Sequence, residues 1–239
     1  MSGQETRPTS PRARYRRALR TAEMDTAPLR PSSRRVVVVV LTLVVGAGVN
    51  AWALRIPAGD PIFYLATALM AAVWFVGAFA SGPIRLGREP FRAGRPVLSS
   101  VLTAAALAVL FCLGALIVAR IEPLRAPVDE LLAHATVGNL ALVAVITAVN
   151  GIAEECFHRG AVYSTVAHFR PVLTSTVVYA AVTAASGIPL LVLAAVLLGL
   201  VTALQRRATG GVLGPIITHV TWSMVMLFAL APILDAARA

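Results

Sequence analysis

The stretch Val36–Leu54, VVVVVLTLVVGAGVNAWAL, carries no charged residue, and its only non-aromatic polar side chains are Thr42 and Asn50. As a helix rising 1.5 Å per residue it reaches about 28 Å, close to the ~30 Å hydrocarbon core of a bilayer. A cleaved leader fits it poorly, because the arginine-rich residues before it are too many. The stretch reads as a first membrane span that stays.

Working outward, apolar runs recur at Ile62–Ala80, Leu98–Ala119, about Leu131 to Ile152, Val172–Ser186, Leu190–Leu204 and Val212–Leu234. The expected fold is all-α, a polytopic transmembrane helical bundle of about seven spans within residues 36–239. The two shortest runs, Val172–Ser186 and Leu190–Leu204, require tilted, broken or shielded helices. The segment Gly160–Phe169 is apolar but too short to cross, and a re-entrant or interfacial piece is expected there.

Composition agrees. Of 239 residues, 58% are apolar and 13% charged, whereas soluble domains carry about 45–50% and about 25%. A water-facing surface cannot be built from so little charge, so the lipid bilayer is the expected surroundings.

The net charge of +10 does not point to nucleic acid, because of where it lies. All 21 basic residues are arginine, which reads as a compositional bias of the genome. Many fall within residues 1–35, expected to be a disordered cytoplasmic tail facing anionic lipid. Arg85, Arg88, Arg92 and Arg95 crowd one loop, whereas Arg120 and Arg125 of the next are balanced by Glu122, Asp129 and Glu130. Arg159 and Arg170 follow the fourth span, and Arg206-Arg207 the sixth. Alternate loops are thus basic, which puts the N-terminus in the cytoplasm and the C-terminus outside, as expected in a bacterial plasma membrane. Cys112 and Cys156 show neither metal-ligand spacing nor a disulfide framework.

Ionisable groups inside apolar segments cost about 2.5–3.5 kcal/mol each on insertion scales, and here they cluster. The fourth span ends in Asn150-Gly151-Ile152-Ala153-Glu154-Glu155-Cys156-Phe157-His158-Arg159. At helical spacing Thr147, Asn150, Gly151, Glu154 and His158 share one face. Glu155 and Arg159, four apart with the acid first, suit an intrahelical ion pair, which leaves Glu154 as the free carboxylate. The last span brings His219 about one and a half turns past its cytoplasmic start, with Ser223 one turn further on. By the charge pattern, Glu154 and His219 lie at similar depth on one side. Taken singly, a Glu-Glu pair at a helix end suits a solvated boundary and a histidine in a span suits packing; together they point to a shared site. Trp52, Trp74 and Trp222 read as packing or interface residues.

The stretch from about Leu131 to Leu230 resembles the CAAX-protease and bacteriocin-processing family of intramembrane proteases (CPBP, also called Abi). That family shows a Glu-Glu-x-x-x-Arg motif followed by Gly; here it stands as Glu154-Glu155-Cys156-Phe157-His158-Arg159-Gly160. The tract from Gly199-Leu200-Val201 through Arg206-Arg207 to Gly211 and His219 is similar to the family's approach to its His-x-x-x-Asn motif. Two positions depart. Where the family has Phe-x-x-x-His this chain reads Tyr179-x-x-x-Thr183, and where it has His-x-x-x-Asn this chain reads His219-x-x-x-Ser223.

The resemblance implies hydrolysis of a peptide bond in a membrane-anchored peptide or protein. It implies Glu154 as general base on a water, His219 and the position of Ser223 as donors to the oxyanion, and Glu155 and Arg159 as the rest of the site. A catalytic zinc needs three protein ligands. The resemblance supplies Glu154 and His219, and His158, four residues from Glu154, is the one candidate for a third. A metal-independent glutamate mechanism is the working expectation. A relative that kept the fold and lost turnover, acting as a membrane scaffold, is the alternative that Thr183 favours. A transporter is a weaker one, since the hydrophobic pattern has no internal repeat.

Overall fold

The structure, a computed structural model, describes residues 31–87 and 95–237. Residues 1–30 of the expected tail, and Arg88 and Arg92 of the basic loop, lie outside the described residues. Among the described residues all regular structure is helical: α1 (Ser33–Ala53), α2 (Ile62–Ser81), α3 (Arg95–Val118), α4 (Glu122–Thr136) and α5 (Leu140–Glu155). A π-helical turn (Cys156–Val162) and one α-turn (Tyr163–Thr165) extend α5, followed by α6 (Pro171–Ala184), α7 (Pro189–Thr209) and α8 (Leu213–Ala236).

Six of these are long and apolar enough to cross a membrane: α1, α2, α3 from Val97, the continuous run Leu140–Thr165, α7 and α8. The chain is an integral membrane protein with a polytopic helical bundle. The expected span at Val172–Ser186 forms as α6, whose 14 residues reach about 21 Å, short of a ~30 Å core. It is shielded by packing along α7.

Several boundaries differ from the sequence reading, among them the end of α7, which runs on to Thr209 and makes a helix of 21 residues where a short run was expected. The fourth span begins at Leu140, not Leu131, because Gly138 and Asn139 interrupt the helix. The Asn139 side chain accepts from the Leu142 amide at 3.0 Å and caps α5, and the Asn139 amide donates to the Tyr64 hydroxyl at 2.8 Å. What precedes is α4, an amphipathic helix opened by Pro123, on which Arg125 pairs with Glu122 and Asp129. The segment from Gly160 is not re-entrant up to Thr165: it continues α5 through the π-helical turn, making one run of 26 residues. At the N-terminal side, α1 starts at Ser33, where the Ser32 hydroxyl accepts from the Arg35 amide at 3.2 Å.

Along the spans the exterior is largely apolar, while several charged side chains lie in the interior. Val44, Leu65, Val76 and Ile117 are each about two-thirds exposed, while Glu155, His158 and Arg159 are fully buried. Lipid demands that inversion, since a charge survives there only inside the bundle. Close helix approach comes from small residues. Gly46 of α1 lies under the Trp74 ring of α2, and Gly77 of α2 under Thr42 of α1; a Cβ at either glycine would overlap its neighbour.

α5 sits between α2 and α8, while α3 packs on α8 and α6 on α7. The start of α8 is tied to the loop after α2: the Val212 and Leu213 amides donate to Arg85 O and Leu86 O at 3.0 and 3.1 Å. Gly211 makes that contact possible, because a Cβ there would strike the backbone of Leu86 and Gly87. His219, two turns into α8, inherits its depth from this anchor.

Candidate functional site

Asn150, Gly151 and Glu154 of α5 line a cavity of about 270 Å³, and Tyr179 and Thr183 of α6 and His219 and Ser223 of α8 line it from other sides. The glutamates next to each other have opposite surroundings, because one helical residue turns the side chain by about 100°. Glu154 is partly exposed and faces the cavity. Its Oε2 accepts a hydrogen bond of 2.7 Å from the Tyr179 hydroxyl.

Glu155 is fully buried behind the cavity wall. Its Oε1 lies 2.8 Å from His219 Nδ1, and its Oε2 lies 3.4 Å from Arg159 Nε. The ion pair expected between Glu155 and Arg159 therefore forms, as a charge contact without hydrogen-bond alignment. A buried carboxylate is tolerable only when opposite charge or donors surround it, and Arg159 and His219 do so here.

Arg159 is packed between Glu155, Tyr179 and Gly199. Its guanidinium carbon lies 4.7 Å from the Tyr179 ring centroid, a cation–π contact. Gly199 of α7 leaves room for it: a Cβ there would come within 3.1 Å of Nη2 and 3.2 Å of Tyr179 Cδ1. The Arg159 carbonyl lies in the π-helical turn, where the usual helical hydrogen-bond pattern is widened, and Arg206 Nε donates to it at 2.9 Å. Arg206 in turn lies over the Tyr163 ring. Arg206 reads from sequence as a loop charge, and Arg159 as both a loop charge and the partner of Glu155; both are buried.

Thr147, Asn150, Gly151 and Glu154 share the cavity face as expected, but His158 does not. The wider turn that begins at Cys156 changes the phase of the helix, and the His158 ring enters the packing beside Trp74, 5.2 Å away, and Tyr179, 4.7 Å away. Its Nδ1 is 3.1 Å from Glu154 O. Thr183 reaches the cavity wall, yet its hydroxyl donates back to Tyr179 O at 3.0 Å. Asn150 donates through Nδ2 to Thr67 O and Ile146 O at 3.1 and 3.0 Å.

Among the described residues no group of three or more His, Cys, Asp or Glu is placed to hold a metal ion. Beside Glu154 and His219 a zinc would need another donor. His158 is turned into packing, and position 183 offers only a hydroxyl engaged with backbone. These residues do not fit a zinc centre.

A second cavity, about 500 Å³, opens between α3, α4, α7 and α8 and shares Thr147, Trp222 and Ser223 with the first. Its walls are almost wholly apolar, with His134 the one titratable side chain on them among the described residues. The His134 ring stacks on Phe63 at 3.8 Å, and burial holds its pKa below the ordinary histidine value.

Of the residues named from sequence, Glu154, His219 and Ser223 thus face one cavity, and Glu155 and Arg159 support it from behind. Sequence reasoning passed over Tyr179 as a site residue. Its signal was a hydroxyl-bearing ring in an apolar helix, at the place where the motif has Phe.

The family model described as Rce1-like, type II CAAX prenyl endopeptidase Rce1-like, matches residues 136–225. The match bears out the resemblance over that stretch, which runs from the end of α4 into α8 and contains Glu154, Tyr179, Thr183, His219 and Ser223. Neither the curated proteins nor the solved structures yield a match.

Proposed function

We propose that the protein is an intramembrane endopeptidase hydrolysing a peptide bond of a membrane-associated substrate, with Glu154 as general base. The observation that carries this reading is the joint placement of Glu154 and His219 on one cavity inside a membrane bundle. The match to an endopeptidase family over residues 136–225 supports it.

The chemistry follows from the donor set. Glu154 takes a proton from a water, and the resulting hydroxide adds to the scissile carbonyl carbon. The C=O electron pair moves onto oxygen, where His219 and Ser223 donate to the oxyanion. Collapse re-forms the C=O and breaks the C–N bond, and Glu154 returns its proton to the leaving amine. With Nδ1–H on Glu155, His219 fills its role only when Nε2 also bears a proton. The adjoining apolar cavity suits a substrate whose cleavage site is followed or preceded by a lipid tail or apolar segment. The N-terminus is assigned to the cytoplasmic side of a bacterial plasma membrane, on the loop charges.

The experiment is cleavage of a library of membrane-tethered peptides by the purified protein in bilayers. Loss of cleavage in both Glu154→Gln and His219→Ala, with the bundle folded, is the expected result. Robust cleavage by both variants removes the site assignment. A second reading, a membrane scaffold without turnover, is favoured by the hydroxyl at Thr183 being turned onto Tyr179 O; partner binding with no cleavage by any variant supports it.

A further inference from the structure

We infer that Tyr179 is the positioning residue for Glu154 and replaces, from one helical turn earlier on α6, the imidazole that position 183 lacks. The inference rests on Glu154 acting as the base.

The Tyr179 hydroxyl lies 2.7 Å from Glu154 Oε2, and the ring lines the same cavity. A hydroxyl has one proton to donate. Spent on Oε2, it fixes the carboxylate plane and leaves Oε1 as the oxygen free to take a proton from water. Reactivity falls steeply when a base strays from the line of transfer, so a fixed carboxylate matters.

The ring that carries this hydroxyl is packed from three sides. The Arg159 guanidinium covers it at 4.7 Å, His158 packs on it at 4.7 Å, and Gly199 lets α7 approach its edge. Packing of that kind preorganises a donor.

The exchange is reciprocal. Positions 179 and 183 are four apart, so both side chains stand on the same face of α6. In the resembling family that face offers Phe then His; here it offers Tyr then Thr. The donor has moved one turn along the helix, and the Thr183 hydroxyl, bonded to Tyr179 O at 3.0 Å, has left the task.

The test compares wild type, Tyr179→Phe, Thr183→His, the double variant Tyr179→Phe/Thr183→His, and Glu154→Gln, all full-length in bilayers. The first readout, infrared spectroscopy, needs no substrate. The carboxyl band that disappears in Glu154→Gln is expected to move in Tyr179→Phe and to return toward its wild-type position in the double variant. The second readout is steady-state cleavage of the membrane-tethered peptides. Tyr179→Phe is expected to lower kcat about 10–100-fold, the worth of one hydrogen bond to a charged group, with KM within about threefold. Thr183→His is expected to restore at least about tenfold of that loss in the Tyr179→Phe background and to raise kcat less in the wild-type background, the coupling that shared duty requires.

An unmoved band in Tyr179→Phe, or a Tyr179→Phe enzyme with wild-type kcat, overturns the inference. So does a loss of kcat that Thr183→His leaves unrepaired in both readouts, which marks Tyr179 as structural. Cleavage by Glu154→Gln at the wild-type rate overturns instead the reading of Glu154 as base. An inactive Glu154→Gln beside a fully active Tyr179→Phe overturns the Tyr179 inference alone.

Discussion

Glu155 Oε1 and His219 Nδ1 lie 2.8 Å apart in the bundle interior, joining the end of α5 to the second turn of α8. Glu155 does not line the cavity that His219 lines. It acts through the imidazole it holds, much as an outer partner fixes the tautomer and angle of an inner histidine. Glu154, one residue earlier, has the open side. Two adjacent carboxylates thus divide into a buried one and one that faces the cavity by helical rotation alone.

Glu155→Gln leaves the Arg159 guanidinium buried without its counter-charge and weakens the hold on His219. Removing one partner of a buried pair costs about 3–5 kcal/mol. The expected outcome is a lower thermal unfolding midpoint in detergent together with lost cleavage, and the midpoint scan checks it. An unaltered midpoint would mean that the pair contributes nothing to the bundle.

His219→Gln keeps a hydrogen-bond donor on the side chain that faces the oxyanion, so it should retain more cleavage than His219→Ala. His219→Ala should cost about 10²–10³-fold in kcat. The measurement is kcat for wild type and the two variants, and equal losses in both variants would contradict the donor role.

Much of this architecture is legible in the sequence, and the failures are instructive. The apolar runs locate the helices because lipid allows few charges outside, and the Glu155–Arg159 pair follows from spacing alone. The true start of α5 was hidden because Leu131–Thr136 is apolar enough to read on into it; only the Asn139 cap and the Gly138 break separate them. An unbroken α-helix puts His158 on the cavity face, and the π-helical turn at Cys156–Val162 turns it away. Arg206 reads as a loop charge because sequence shows a cation next to a span but not the buried carbonyl and ring it meets.

Gly46→Ala is expected to destabilise the bundle by about 1–3 kcal/mol, the usual cost of overpacking. Its Cβ would run into the Trp74 indole, itself almost fully buried. A second substitution, Trp74→Leu, should recover part of the loss. Unfolding midpoints of the single and double variants check this, and additive losses would contradict the close approach of α1 and α2.

His134 links stability to pH. Burial beside Phe63 keeps its folded pKa below the ordinary value, so the unfolded chain binds the proton more readily. Its stabilising share is complete above the unfolded value of about 6.5 and is lost as pH falls through that value toward the folded one. The difference in unfolding midpoint between wild type and His134→Gln, measured across pH 5 to 8, should therefore change on the acid side and stay level on the alkaline side.

The most direct measurement is single-turnover cleavage of one membrane-tethered peptide, in bilayers, by wild type and by Glu154→Gln with matched unfolding midpoints. Glu154 as the water-activating group requires wild-type cleavage and a loss of about 10²–10⁴-fold in the variant, the contribution of a positioned base. Equal rates from the two proteins would contradict it.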